Sequence, residues 1–215
     1  MASPSHRFRA IVVWSLAIIT LVVLALVAWL VIPILTSSPA GSSGQPLEVE
    51  GYPLSVSATA DDLRTPTLSA RFDGPSDHGL DQLVIGDRLI VSGEGFDSTK
   101  GIYVAICLVP TEVDIKPGPC LGGVPTTAVS PAQGEEVIEY AASNWVNDDW
   151  AWRLFGARGF DDRELGTFSA YIEVVEDRES GLDCGVDHCG LYTRNDHTAL
   201  DDRVQDLYLP VSLAE

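Results

Sequence analysis

The reactive side chains of this chain are concentrated between Asp183 and Arg203. His197 beside Asp196 is the combination that an acid–base hydrolase uses, and carboxylates near a histidine also suit calcium or another metal ion. Neither an HExxH motif nor an EF-hand loop is present, however. Aspartates also hydrogen-bond to the backbone in turns, and nearby arginines offer them ion-pair partners. We interpret the cluster as a structural network, with an envelope hydrolase or a calcium site as alternatives. Its reactive members are Asp183, Asp187, His188, Asp196, His197, Asp201 and Asp202, of which the weak metal candidates are Asp187, Asp196 and Asp201.

A second candidate site is the aromatic segment at residues 144–166, which has no regular hydrophobic period. Some of its rings are expected to fill a core, because a tryptophan buries a large area. Trp150 and Trp152 directly follow an Asn-Asp-Asp run, and loops held by a rigid scaffold often carry function. We expect Trp150, Trp152 and Phe155 to be at least partly exposed near Cys107 and Cys120 and to form an apolar patch with an acidic rim, where a partner binds.

The element that must hold these sites is a β-domain centred on residues 88–107. This stretch contains two predicted strands. In the first, Leu89 and Val91 alternate with neighbours that face the other way, and the second shows the same alternation at Ile102, Val104 and Ile106. This period of two is typical of half-buried strands. The glycines between these two strands predict a hairpin connection.

Further strands are predicted on both sides of this pair. Alternation recurs at residues 67–72, 167–174 and 207–213, with turn residues between them and no helical period. Pro210 cannot donate a ladder hydrogen bond, so the last strand is expected at a sheet edge. The pattern predicts an all-β domain, a β-sandwich of immunoglobulin type.

The N-terminal part of the chain has a different character. Residues 11–35 carry no charge, and a helix of that length spans about 37 Å, which exceeds the roughly 30 Å of a bilayer core. A cleavable secretory signal is the alternative, but its apolar region is shorter and ends at a small-residue cleavage motif. We expect an uncleaved single-pass transmembrane helix.

Charge predicts the orientation of that helix and the organisation of the chain. Arg7 and Arg9 precede it and no basic residue follows until Arg64, so residues 1–10 are expected in the cytoplasm and the remainder outside the cell. Residues 36–48, rich in Ser, Gly and Pro, are expected to be a flexible linker, and residues 49–215 the external domain with its core at 67–213. From Glu48 onward there are 31 acidic and 11 basic residues, a net charge of −20. This charge argues against nucleic acid as a partner.

Four cysteines in a domain outside the cell predict two disulfides. They permit three pairings, and their spacing favours local bridges. A metal site built from the four thiols is disfavoured, because the chain has no CxxC pair and the compartment is oxidising.

Several segments together resemble a known family. They are VSGEGF, GIYVAIC, GTFSAYIEV, DCGVDHC and LYLPVSL, in an order similar to the neocarzinostatin-like family of actinobacterial secreted and surface proteins, over residues 67–213. The segment TRNDHTALDDRVQDLYLPV is similar to modules found with haem-transport-associated domains. The resemblance implies a seven-stranded immunoglobulin-like sandwich with disulfides Cys107–Cys120 and Cys184–Cys189.

The resemblance also implies a ligand class. Neocarzinostatin carries a chromophore in a cleft floored by its first disulfide, which corresponds here to Cys107 and Cys120, but residues 121–166 differ from that protein in length and composition. We therefore expect a membrane-anchored, non-enzymatic module without a cofactor that binds an envelope protein, a glycan or a small hydrophobic ligand. A chromophore- or haem-associated carrier is the family-based alternative.

Overall fold

The computed structural model describes residues 4–36, 41–123, 139–177 and 179–214. The chain divides into two compact units, Met1–Ser37 and Ser38–Glu215. The first unit is helix α1, Pro4–Thr36. Its stretch Phe8–Trp29 is long and apolar enough to cross a membrane, as an anchor or as a signal sequence does. The prediction of one apolar N-terminal helix is therefore confirmed.

The second unit is built from two antiparallel four-stranded sheets, so the prediction of a mostly β domain is also confirmed. The first sheet has the order β1-β2-β3-β6 and the second β5-β4-β7-β8. The described residues thus form eight strands where the resemblance implied seven. The strands are β1 Ser55–Ser57, β2 Thr67–Phe72, β3 Arg88–Glu94, β4 Ile102–Leu108, β5 Ser143–Val146, β6 Phe168–Glu173, β7 Cys189–Asn195 and β8 Tyr208–Val211, with a 3-10 turn at Leu80–Gln82 and a short helix α2 at Trp150–Arg153.

The predicted hairpin between β3 and β4 is wrong, although both strands exist. β3 pairs with β2 and β6, whereas β4 pairs with β5 and β7 in the other sheet. Val91 and Val104 are both fully buried in one core cluster. Strands β3 and β4 therefore face each other across the core and are not hydrogen-bonded to each other.

The core lies between the two sheets and follows the period of two. The inward residues of β2, β3 and β6 pack with those of β4, β7 and β8 in a single cluster. Gly93 of β3 is required by this packing, because a Cβ there would lie 2.0 Å from the ring of Phe168. Gly95 has a different role: its φ is +77°, a left-handed conformation that glycine adopts without strain.

Two amide side chains cover the backbone at the outer edges of the sheets. The Gln45 amide donates to the carbonyl of Tyr208 and accepts from its N–H, at 2.7 and 2.8 Å. Asn144 makes the same pair of bonds with Tyr171 of β6, at 2.9 and 3.0 Å. Gln45 is buried, so residues 41–48, which composition assigned to the flexible linker, lie against the β-domain. Composition alone did not reveal this contact because its partner, Tyr208, is far away in the sequence.

The cysteines form two local disulfides, as the resemblance implied. Cys107–Cys120, the first disulfide, joins the end of β4 to the loop that follows it. Cys184–Cys189, the second disulfide, closes the turn before β7. The described chain has no free cysteine.

Candidate functional site

The turn after β7 is organised by the carboxylate of Asp196. This side chain is fully buried. Its Oδ2 accepts from the indole N–H of Trp145 and from the amide of Asn147, each at 2.8 Å. Its Oδ1 accepts from the N–H and the hydroxyl of Thr198. All of these donors belong to the protein itself, so the geometry fits a structural acceptor better than a metal ligand.

The other two metal candidates lie in different surroundings. Asp187 accepts from the N–H of Asp183 within the turn that the second disulfide closes, and Asp201 is exposed. Across the described ranges, no group of three or more histidine, cysteine or acidic side chains is placed to hold a metal ion. Within those ranges the acidic residues of the sequence cluster are therefore not gathered around a common metal position.

The two histidines proposed for catalysis are also separated into different aromatic environments. The Nδ1 of His197 lies 3.0 Å from the hydroxyl of Tyr103. Its ring packs edge-to-face on Trp152, with centroids 4.6 Å apart. His188 instead faces the ring of Tyr208, at 6.4 Å. The His197 ring thus packs against its aromatic neighbours.

These neighbours form a base on the outer face of the second sheet. Trp145 of β5 lies opposite Tyr103 of β4 in the ladder, with ring centroids 5.9 Å apart. Trp152 contacts Trp145 at 5.7 Å. Burial, and secondarily the charge of Asp196, raises the pKa of Tyr103 to about 12, so its hydroxyl stays protonated at neutral pH. We call Tyr103, Trp145, His197 and Trp152 the aromatic base.

Helix α2 and the two residues that follow it expose three large apolar side chains. It begins after Asp149, whose carboxylate accepts from the N–H of Ala151 at 2.9 Å as an N-cap. Trp150, Leu154 and Phe155 are 67%, 73% and 60% exposed. Phe155 contacts Trp152 of the base, with ring centroids 6.3 Å apart. Trp150 and Leu154 are four residues apart on helical backbone and so lie on one side of α2. We call Trp150, Leu154 and Phe155 the apolar patch.

Sequence reasoning identified part of this site and missed part of it. Trp150, Trp152 and Phe155 were predicted here, and the structure places Trp152 in the aromatic base while the other two are more exposed. Leu154 was missed because a single leucine gives no signal of exposure. Asp149 before a Trp-Ala-Trp-Arg run is an N-cap signal that would have predicted the short helix.

The first disulfide lies on the same face of β4 as the aromatic base. Cys107 and Tyr103 are four residues apart on one strand, which corresponds to about 13 Å. Arg194 connects the two regions: its guanidinium lies 5.8 Å from the centroid of the Tyr103 ring and donates to the carbonyl of Pro117 at 2.7 Å. The loop closed by the first disulfide is thereby tied to the aromatic base, and the disulfide itself is buried.

A narrow cleft lies between that loop and residues 43–47. Tyr192 and Tyr208 line it as a stacked pair with centroids 4.8 Å apart. The space open to the centre of a water molecule is about 20 Å³, which suits one or two waters and no drug-sized ligand. The cleft in this conformation is therefore not a carrier cavity.

Asp206 is a buried residue that also lines this cleft. One of its carboxylate oxygens accepts from Arg203 at 2.7 Å, while Oδ1 has no hydrogen-bond partner within the described part of the chain. Burial raises the pKa of Asp206 to about 7, and the Arg203 charge opposes that rise. The carboxyl group therefore exchanges its proton near neutral pH.

Comparisons with protein-family models, with curated proteins and with solved structures found no match to this chain.

Proposed function

We propose that this protein is a membrane-anchored, non-enzymatic module outside the cell that binds an envelope partner through the apolar patch. An anchor is supported by α1 and by Arg7 and Arg9, which precede its apolar stretch, since basic flanking residues are retained in the cytoplasm. An external domain is supported by the two disulfides, which persist in oxidising compartments.

An immunoglobulin-like sandwich of neocarzinostatin type is part of this proposal. In the immunoglobulin fold, one sheet has the strand order C′-C-F-G, which is compatible with β5-β4-β7-β8 here. The other sheet of that fold has strand B beside strand E, which is compatible with β3 beside β6. Both disulfides are local, as the resemblance implies, whereas antibody domains join strands B and F across the core. An eighth strand extends the seven-stranded pattern.

The observation that carries the binding function is the exposed patch on a packed base. An isolated exposed apolar residue is ordinary at a protein surface, but here three large ones are exposed within six residues. Trp150 and Leu154 are four apart on the helical backbone of α2 and its C-cap, and Phe155 follows directly. The base below is rigid because its hydrogen bonds are made within the protein: Trp145 to Asp196 and Tyr103 to His197. A preorganised apolar surface of this kind lowers the entropic cost of association.

The hydrolase and calcium alternatives receive less support from the same geometry. Among the described residues, the aspartates at 187, 196 and 201 are not part of a group that could hold a metal ion, and His197 is enclosed by aromatic rings with one nitrogen facing the Tyr103 hydroxyl. The carrier alternative needs the cleft beside the first disulfide to open, because it now has room for little more than water.

The proposal is tested by replacing Trp150 and Phe155 together with alanine in the full-length protein. Both side chains are largely exposed, so the melting temperature is expected to change by no more than about 4 °C. Chemical cross-linking on living cells is expected to give a partner adduct with the wild type and none with the double variant. Val186→Ala is the matched control, because Val186 is 86% exposed in the turn before β7, whereas Tyr103 of the aromatic base pairs near the other end of that strand. An unchanged adduct in the double variant contradicts the proposal.

A further inference from the structure

The size of the apolar patch limits what can bind it. Taking roughly 200 Å² as the full area of a large apolar side chain, the exposed fractions of Trp150, Leu154 and Phe155 leave about 400 Å² of apolar surface. A standard protein interface buries about 800 Å² per partner, with an apolar centre and a polar rim. The patch has the size of such a centre, so the remaining contact area must come from the residues around it, which include the exposed Leu165 as well as polar side chains.

The polar surroundings of the patch include a turn at residues 161–165. Two contacts hold this turn against the start of α2: Arg163 pairs with Asp148 at 3.2 Å, and the N–H of Phe160 donates to the same carboxylate at 3.1 Å. Asp161, Asp162 and Glu164 are exposed there.

The basic residues nearby only partly offset these acids. Arg153, in the last turn of α2, is exposed and opposes one of the acidic charges. The charge of Arg163 is already matched by Asp148. The rim is therefore acidic, in a domain whose charge from Glu48 onward is −20.

Together these features identify the chemistry of the partner. Resting on the proposed function, we infer that the apolar patch binds a polypeptide surface that presents apolar side chains flanked by lysine or arginine. Charge complementarity speeds the encounter and rejects acidic competitors, while burial of the three apolar side chains slows dissociation. An anionic lipid surface has the wrong sign of charge for this rim.

The inference is tested with the full-length protein in nanodiscs of zwitterionic lipid, with empty nanodiscs as the background. Two short fluorescent peptides with identical Leu and Trp positions serve as probes, one carrying Lys and the other Glu at every remaining position. The lysine peptide is expected to bind at least about tenfold more tightly at about 0.01 M salt, and this preference is expected to shrink at about 1 M, where the screening length falls to about 3 Å.

Two variants separate the contributions of the patch and the rim. Trp150→Ala with Phe155→Ala is expected to abolish binding of the lysine peptide although the charge of the protein is unchanged. Asp161→Asn with Glu164→Gln is expected to slow association by about tenfold and to leave dissociation nearly unchanged.

Each contrary outcome has its own meaning. Equal affinity for the two peptides, lost in the patch variant, overturns the cationic partner and leaves the proposed function standing. Binding of the lysine peptide that survives the patch variant shows non-specific attraction and overturns the inference. If neither peptide binds, or if the domain binds zwitterionic vesicles through Trp150 instead, the inference is wrong, and cross-linking on cells decides the proposed function separately.

Discussion

Replacing Asp196 with alanine is expected to destabilise the β-domain and to loosen the aromatic base at the same time. The carboxylate accepts four hydrogen bonds, from Trp145, Asn147 and twice from Thr198. A buried donor left without its acceptor costs about 1–3 kcal/mol. Asn147 is buried and carries the full penalty, whereas Trp145 and Thr198 are half-buried and partly regain water. The expected loss is about 4 kcal/mol in the free energy of unfolding, or about 10 °C in melting temperature.

Two further variants make this prediction specific. Asp196→Asn keeps one oxygen for Thr198 but places an NH₂ group against the donors of Trp145 and Asn147, so it is expected to cost about 2–3 kcal/mol despite its similar shape. Asp201→Ala, at an exposed position in the same segment, is expected to stay within about 0.5 kcal/mol. The assay is urea unfolding of the full-length protein followed by tryptophan fluorescence, with a red shift of native emission as the sign of a loosened base. A loss below about 1 kcal/mol for Asp196→Ala would refute the assignment of this carboxylate as the organising acceptor.

Three other perturbations have expected outcomes. Gln45→Ala removes both hydrogen bonds to the edge of β8 and is expected to lower the free energy of unfolding by about 1–3 kcal/mol in urea titration, while Gln45→Glu, which keeps only the acceptor, is not expected to restore it. Folding raises the pKa of Asp206 from 3.8 to about 7, so the folded state binds more protons than the unfolded state. The stabilisation by protonated Asp206 is therefore fully present below about pH 4 and is lost as the pH rises through about 7. Asp206→Asn is expected to flatten this part of the curve of unfolding free energy against pH. Removing the first disulfide is expected to lower the free energy of unfolding by about 3 kcal/mol and removing the second by about 2 kcal/mol. The reason is that the first closes a longer loop, with a sequence separation of 13 against 5. The reverse order of denaturant midpoints would show that chain entropy does not dominate.

The strands were predictable from the sequence, but their partners were not. Alternation in residues 88–94 and 102–108 reports which side chains are buried, and both strands were found there. It does not report which strand lies alongside, because a residue facing the core looks the same in either sheet. The hairpin prediction therefore failed at the connection, where the chain passes from one sheet to the other.

The aromatic residues of the candidate site were predictable from the sequence, but the hydrogen bonds that hold them in place were not. The density of tryptophan between residues 144 and 160 pointed to Trp150 and Trp152. The role of Asp196 was hidden, because Trp145 donates to it from 51 residues away. The contact of Gln45 with Tyr208, across 163 residues, was hidden for the same reason. A side chain's local sequence shows what it can bind, and only the fold shows which donors reach it.

Binding through the apolar patch is tested most directly by a photo-cross-linking amino acid at position 150 of the full-length protein on living cells. We expect a discrete adduct at position 150 that is lost when Phe155→Ala is added, and none when the same cross-linker is placed at position 186, where the native valine is 86% exposed and thus more open to solvent than Trp150. The same adducts at both positions, or no adduct at position 150, would contradict the claim that the apolar patch is a binding surface.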